Sequence, residues 1–211
     1  MANAIYPAAK QEWLSGSNMA ITSRDQAVLL VDGYTYDSTD VTTADMSTGT
    51  LIAIGDNVLA SKTVTGGVFD AADLTFTAVP AGGAIEGLVI IDFYDWDTAC
   101  AITASTDLIT STSHGMSDDD AVAFTSITTT TGISTMKLYY VVSAATDTFK
   151  VSETVGGAAV TLTGDGSCDF SYLSEAELIC YLDTGTGLPV TPTGADIAIT
   201  WDSGASKIFA L

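Results

Sequence analysis

From residue 26 onward the sequence is a succession of β-branched and aromatic runs of strand length, each closed off by Gly, Pro, Asp or Ser. QAVLLVD (26–32), NVLASKTVT (57–65), LTFTAVP (74–80) and AIEGLVIIDFY (84–94) set the pattern. Runs this short, punctuated this way, favour strands joined by tight turns over helices. In LTFTAVP the period is two: Leu74, Phe76 and Ala78 fall on one face and Thr75, Thr77 and Val79 on the other. Such a strand packs on one face only. AIEGLVIIDFY is apolar almost throughout, which predicts a central strand covered on both faces. The final ADIAITWDSGASKIFAL reads as two strands, DIAITW and KIFAL, about a turn of hairpin length, with Ile197, Ile199 and Trp201 on one packed face.

One stretch has helical periodicity. In AIYPAAKQEWLS (4–15), Pro7 suits a first helical turn, and Ile5, Ala8, Ala9, Trp13 and Leu14 mark an apolar side. Gly16 then offers a left-handed stop.

Between Tyr94 and Ser174 the texture changes. Residues 95–173 are rich in Thr, Ser, Asp and Gly, with expected strands ACAIT, LITST, AVAFT, KLYYVV, DTFKVS, AAVTLT and CDFSYL. The spacing suggests a small sandwich of its own. Removing it leaves GLVIIDFY followed by AELICYLD, two apolar strands that a short hairpin could join. The expected fold is mainly β: a jelly-roll-like β-sandwich host, residues 1–94 and 174–211, with a short N-terminal helix and an inserted small Ig-like β-sandwich at 95–173.

Charge narrows the partners. With 26 acidic and 6 basic residues the formal net charge is −20, so nucleic acid and anionic membrane surfaces are not expected partners. Mean hydropathy is +0.35, yet no apolar run approaches the roughly 18 residues of a spanning helix. The opening MANAIYPAAKQEW has neither a basic leader nor an apolar core, which predicts synthesis in a cytoplasm. Cys100, Cys168 and Cys180 are odd in number and lack metal-ligand spacing. They are expected as buried free thiols, although Cys100 and Cys168 sit near the two ends of one segment, where adjacent strands could bring them together.

The one stretch that raises the question of a reactive site is TSTSHGMSDDDAV, with the single histidine, His114, beside Asp118, Asp119 and Asp120. A catalytic histidine needs an oriented nucleophile, and zinc needs further His or Cys ligands; none is near in sequence. Calcium takes 6 to 8 oxygens, but consecutive extended residues point to opposite faces. A wet turn is the expectation, as it is for YDSTD with Asp37 and Asp40, and for the Gly-rich GDGS and TGTG, which lack the Lys-Ser/Thr ending of a phosphate loop. No catalytic residue, metal or cofactor is expected. Tyr139 and Tyr140, as strand neighbours, cannot both face solvent.

Three phrases carry a resemblance. MANAIYPAAKQEWLSG, KTVTGGVFDAADLTFTAV and YLDTGTGLPVTPTGADIAITWDSGASKIFAL resemble a family of small tailed-phage virion structural proteins. HGMSDDDAVAF with YYVVSAATDTFKVSETVGGAAVTLTGDGS is similar to small β modules of phage head and tail proteins, whose turn more often carries Gly where this chain has Asp119. The resemblance implies a non-enzymatic virion component made in the host cytoplasm. A capsid decoration (cement) protein fits first, bound to the major capsid protein or other virion proteins and forming a homo-oligomer. A tail or fibre accessory that binds a host-surface receptor or glycan is the alternative. On that reading Tyr6 and Trp13 would supply the oligomer or shell contact, and Trp96 would wedge between host and insert.

Overall fold

The computed structural model describes residues 3–15, 25–46, 50–52, 58–79, 81–93, 98–135, 137–205 and 207–211. The protein is mainly β and divides into two compact units, Met1–Tyr94 with Ala176–Leu211, and Asp95–Glu175. Trp96 lies outside the described residues.

The first unit begins with β1 (Ala4–Ile5), α1 (Pro7–Ser15), β2 (Asp25–Asp32), β3 (Thr50–Ile52), β4 (Thr63–Thr65), β5 (Val68–Asp70), β6 (Leu74–Phe76) and β7 (Ile85–Phe93). The second contains β8 (Thr98–Thr103), β9 (Leu108–Thr110), β10 (Ala121–Thr128), β11 (Leu138–Val142), β12 (Thr148–Ser152) and β13 (Gly166–Tyr172). The chain then returns as β14 (Glu177–Leu182), β15 (Ile197–Ile199) and β16 (Phe209–Ala210).

A five-stranded antiparallel sheet, β1-β14-β7-β2-β3, is the frame of the first unit. β7 is its middle strand, and Leu88, Val89, Ile90 and Ile91 are all buried, as a strand covered on both faces requires. Leu88 and Ile90 join Val28, Leu30, Cys180 and Leu182 in one core, which Phe69 and Phe209 complete from the three-stranded β16-β5-β4 sheet and Leu74 and Phe76 from the two-stranded β15-β6 sheet. The jelly-roll-like sandwich thus takes the form of one large sheet facing two small ones, a sandwich-type packing of layers.

Several local expectations change in the structure. α1 starts at Pro7 rather than residue 4, because Ala4 and Ile5 pair with Tyr181 and Cys180 as an edge strand. Ala9 is buried, Trp13 half-buried against Phe209 at 5.6 Å, but Leu14 is 90% exposed and belongs to the solvent side. Alternation in LTFTAVP ends at Ala78, whose φ of +51° turns the chain and sends Val79 into the core. The two terminal strands form no hairpin: β15 pairs with β6 and β16 with β5. Ile197, Ile199 and Trp201 do pack, partly buried, against the core, and Trp201 also donates its backbone N–H to the Asp73 carboxylate at 2.9 Å and its indole N–H to the Ala72 carbonyl at 3.0 Å. Within NVLASKTVT, Val58 makes a single bridge to Ala27 and only Thr63–Thr65 forms a strand.

In the second unit the small sandwich closes on itself into a six-stranded antiparallel barrel, β10-β11-β12-β9-β8-β13. Strict alternation builds its interior. Cys100 and Ile102, Val122 and Phe124, Tyr139 and Val141, Phe149 and Val151, and Cys168 and Phe170 all point inward and are buried. Tyr140 is half-buried on the other face. AAVTLT is not a strand of the ring; Val160 donates to the Val151 carbonyl at 2.8 Å, Thr163 bridges Thr131, and Leu162 fills the core. Closure leaves no sheet edge.

Cys100 and Cys168 are register partners on β8 and β13, 5.0 Å apart at Cα, and form a disulfide. The expectation of free thiols therefore holds for Cys180 alone, which is buried; burial pushes its thiol well above the ordinary cysteine range. Sequence spacing concealed the pairing because the two residues meet only when the first and last strands of the ring become neighbours.

Two outcomes follow. In denaturant without reductant, one thiol should titrate with a chromogenic disulfide reagent, and three after reduction; the Cys100→Ser, Cys168→Ser double variant should lose about 4 kcal/mol in the unfolding of the second unit. Asp92 and Glu177 are register partners, so the chain leaves and re-enters the first unit on adjacent strands. A chain joining Tyr94 to Ser174 through a Gly/Ser turn should remain soluble, with the far-ultraviolet circular dichroism of a β protein.

Candidate functional site

The acidic stretch of the second unit is a set of loop ties. Asp118 accepts the Ala144 N–H at 2.7 Å, Asp119 the Gly156 N–H at 2.8 Å, and Asp120 the Ser117 N–H at 2.7 Å. Three neighbouring carboxylates thus diverge to three loops. Asp107, Asp147 and Asp165 do the same for Leu162, Ser113 and Ala104 at 2.7 to 2.9 Å. A loop N–H left without a partner costs free energy, and a carboxylate is a strong acceptor for it. Asp119 sits at φ +74°, the left-handed conformation that Gly adopts most readily, so Asp here takes the geometry of a Gly turn and adds a hydrogen bond that Gly could not.

His114 is positioned by the same logic. Its Nδ1 accepts the Met116 N–H at 3.1 Å, and the ring meets Phe149 edge-on at 5.1 Å. In YDSTD, Asp37 accepts the backbone N–H and the hydroxyl of Thr39 at 2.8 and 2.7 Å, which holds its carboxyl below the usual range. Every one of these sequence candidates has a local structural partner.

The first unit contains the residues that sequence reasoning missed. Tyr6, buried completely, donates its hydroxyl to Tyr34 at 2.9 Å, because the Tyr34 hydroxyl itself donates to Asp40 at 2.7 Å. Tyr6 therefore offers no surface to a partner, contrary to the contact expected of it. Trp13 keeps a partly exposed edge. Burial pushes the Tyr34 hydroxyl up to about 12; the bond to Asp40 adds to the shift and the bond from Tyr6 opposes it. Burial raises Tyr6 further still, with the Tyr34 bond adding to it. Tyr36 and Tyr181 extend the group, at 5.0 Å from Tyr6 and 5.4 Å from Tyr34 respectively.

Deeper in the same unit a polar row crosses three strands. Gln26, Asp92 and Glu177 are register partners, all buried, on the face that carries Leu88 and Ile90. On that face, toward the other end of the sheet, lies a cleft of about 900 Å³ with Ile5, Leu182, Ile199, Trp201 and Phe209 among its walls and Cys180 at its base. Strands β1, β15 and β16 border it. Among the described residues each of the three is paired with a neighbouring strand on one side only.

No family model matches the chain, and neither a curated protein nor a solved structure is detectably similar to it. Among the described residues no helix is long and apolar enough to cross a membrane.

The tyrosine chain has a pH signature. A hydroxyl whose pKa is higher in the folded state than in the unfolded chain favours folding fully below about pH 10. That contribution is lost as pH rises through the folded value, about 12 for Tyr34. Thermal melts from pH 9 to 11.5 should show stability falling across this window, with a step in tyrosinate absorbance at the unfolding transition. Tyr34→Phe, which strands the Asp40 carboxylate, should cost about 2 kcal/mol at pH 7 and flatten the alkaline slope.

Proposed function

We propose that the protein is a non-enzymatic structural component of a tailed-phage particle, a capsid decoration protein that binds the head shell in many copies and stabilises it by mass action. The observation that carries this reading is the cleft bounded by β1, β15 and β16. Three one-sided strands over an apolar floor form a surface to which an extended segment of the major capsid protein, or of a second copy, can add by strand pairing. The sequence phrases that resemble virion proteins support the same reading. So does the use of the carboxylates: those of the second unit's loops hold backbone in place and thereby fix shape.

The second unit, which has no open sheet edge, is assigned the outward role and the first unit the shell contact. Gold-labelled antibody against the chain should decorate the heads of purified particles. Particles lacking it should release DNA at lower temperature while adsorbing to cells normally. Label confined to the tail, together with lost adsorption, would move the assignment to a receptor-binding accessory; unlabelled particles would end it.

A further inference from the structure

The face of the five-stranded sheet opposite the shared core carries a second concavity, of about 340 Å³, with Tyr34, Tyr36, Tyr181, Glu86, Asp183 and Pro189 in its lining. Two backbone features shape it. On β7 the register passes from Val31 opposite Gly87 to Asp32 opposite Ile85, so Glu86 is an extra residue at a bulge. Ile85 points into the core and Glu86 into solvent, which is how a bulge re-aims a side chain. Beside it, a Cβ on Gly87 would stand 2.7 Å from the Tyr181 ring. Only glycine lets that ring lie flat on the strand. Tyr181 then meets Tyr34 edge-on at 5.4 Å and stacks with Tyr36 at 6.1 Å.

The lining contains two carboxylates and no basic side chain, and Glu86 makes no ion pair among the described residues. The surroundings deepen the negative potential. Besides burial, Glu86 and Asp183 act on the Tyr181 hydroxyl and Asp37 and Asp40 on that of Tyr36, all disfavouring a further negative charge. Tyr34 and Tyr181 are buried and back the pocket, while Tyr36 keeps part of its ring exposed beside the carboxylates; an aromatic ring so placed attracts organic cations, repels anions, and gives a neutral group stacking without charge.

We propose that this pocket binds an organic cation, namely the guanidinium or ammonium group of an arginine or lysine side chain presented by a partner protein. The pocket opens at the surface of a chain whose net charge is −20, the complement of a basic partner. The assignment does not rest on the virion reading and survives its failure.

The test is a titration of the full chain with N-acetyl-arginine amide, followed by the ring signals of the tyrosines in nuclear magnetic resonance. N-acetyl-citrulline amide, the neutral isostere, and methylguanidinium are titrated in parallel. Saturable shifts confined to Tyr34, Tyr36 and Tyr181 are expected with the arginine probe, with citrulline weaker by about tenfold or more. Glu86→Gln and Asp183→Asn, both of which keep side-chain shape, should each weaken the arginine probe severalfold while circular dichroism stays unchanged. Equal binding of citrulline, or variants that bind as the parent does, would refute the site. Methylguanidinium binding as tightly as the amide-flanked probe would refute a side chain as the natural occupant.

Discussion

The pairing of Ile85–Phe93 with Glu177–Leu182 holds the first unit together across everything that lies between them in sequence. Closing so long a loop carries an entropic cost, though one that grows only slowly with length. The pair offsets it by burial on both faces: Leu88 and Ile90 with Cys180 and Leu182 toward the shared core, Val89 and Ile91 with Leu178 and Tyr181 on the other side. The remaining strands of the sheet take their register from this pair. So does the tyrosine group, since Tyr181 belongs to one strand of the pair and rests on Gly87 of the other.

The second organising device is the use of aspartate in place of regular structure. Six aspartates of the barrel loops each accept a backbone N–H, often from a loop distant in sequence, as when Asp107 meets Leu162 or Asp165 meets Ala104. A chain with 6 basic and 26 acidic residues cannot neutralise its acids in ion pairs such as Lys137 with Glu153 or Lys207 with Asp70. Hydrogen bonding to main chain is the alternative that gives these carboxylates partners and holds the loops in place.

What was legible in the sequence followed from periodicity. Short strand-length runs at regular spacing located the six strands of the barrel, though they also named AAVTLT, and the unbroken apolar run marked β7 as central, because burial on both faces leaves a direct imprint on residue order. What was hidden depended on pairing at a distance. DIAITW and KIFAL looked like a hairpin, yet each found a better partner in β6 and β5, whose Phe76 and Phe69 they help to bury. Tyr6 looked like a surface anchor because nothing local indicated that Tyr34 and Asp40 would receive its hydroxyl. The bulge that turns Glu86 outward is a register event between strands and leaves no trace in either strand alone.

The disulfide has a mechanical meaning. The chain enters the barrel on β8 and leaves it on β13, and Cys100–Cys168 clamps those two strands to each other. Tension applied through the barrel's two ends would travel across this covalent link and bypass the four strands between them. The part most exposed to pulling is thus the part that need not unravel, a property suited to a module tethered at both ends within another domain.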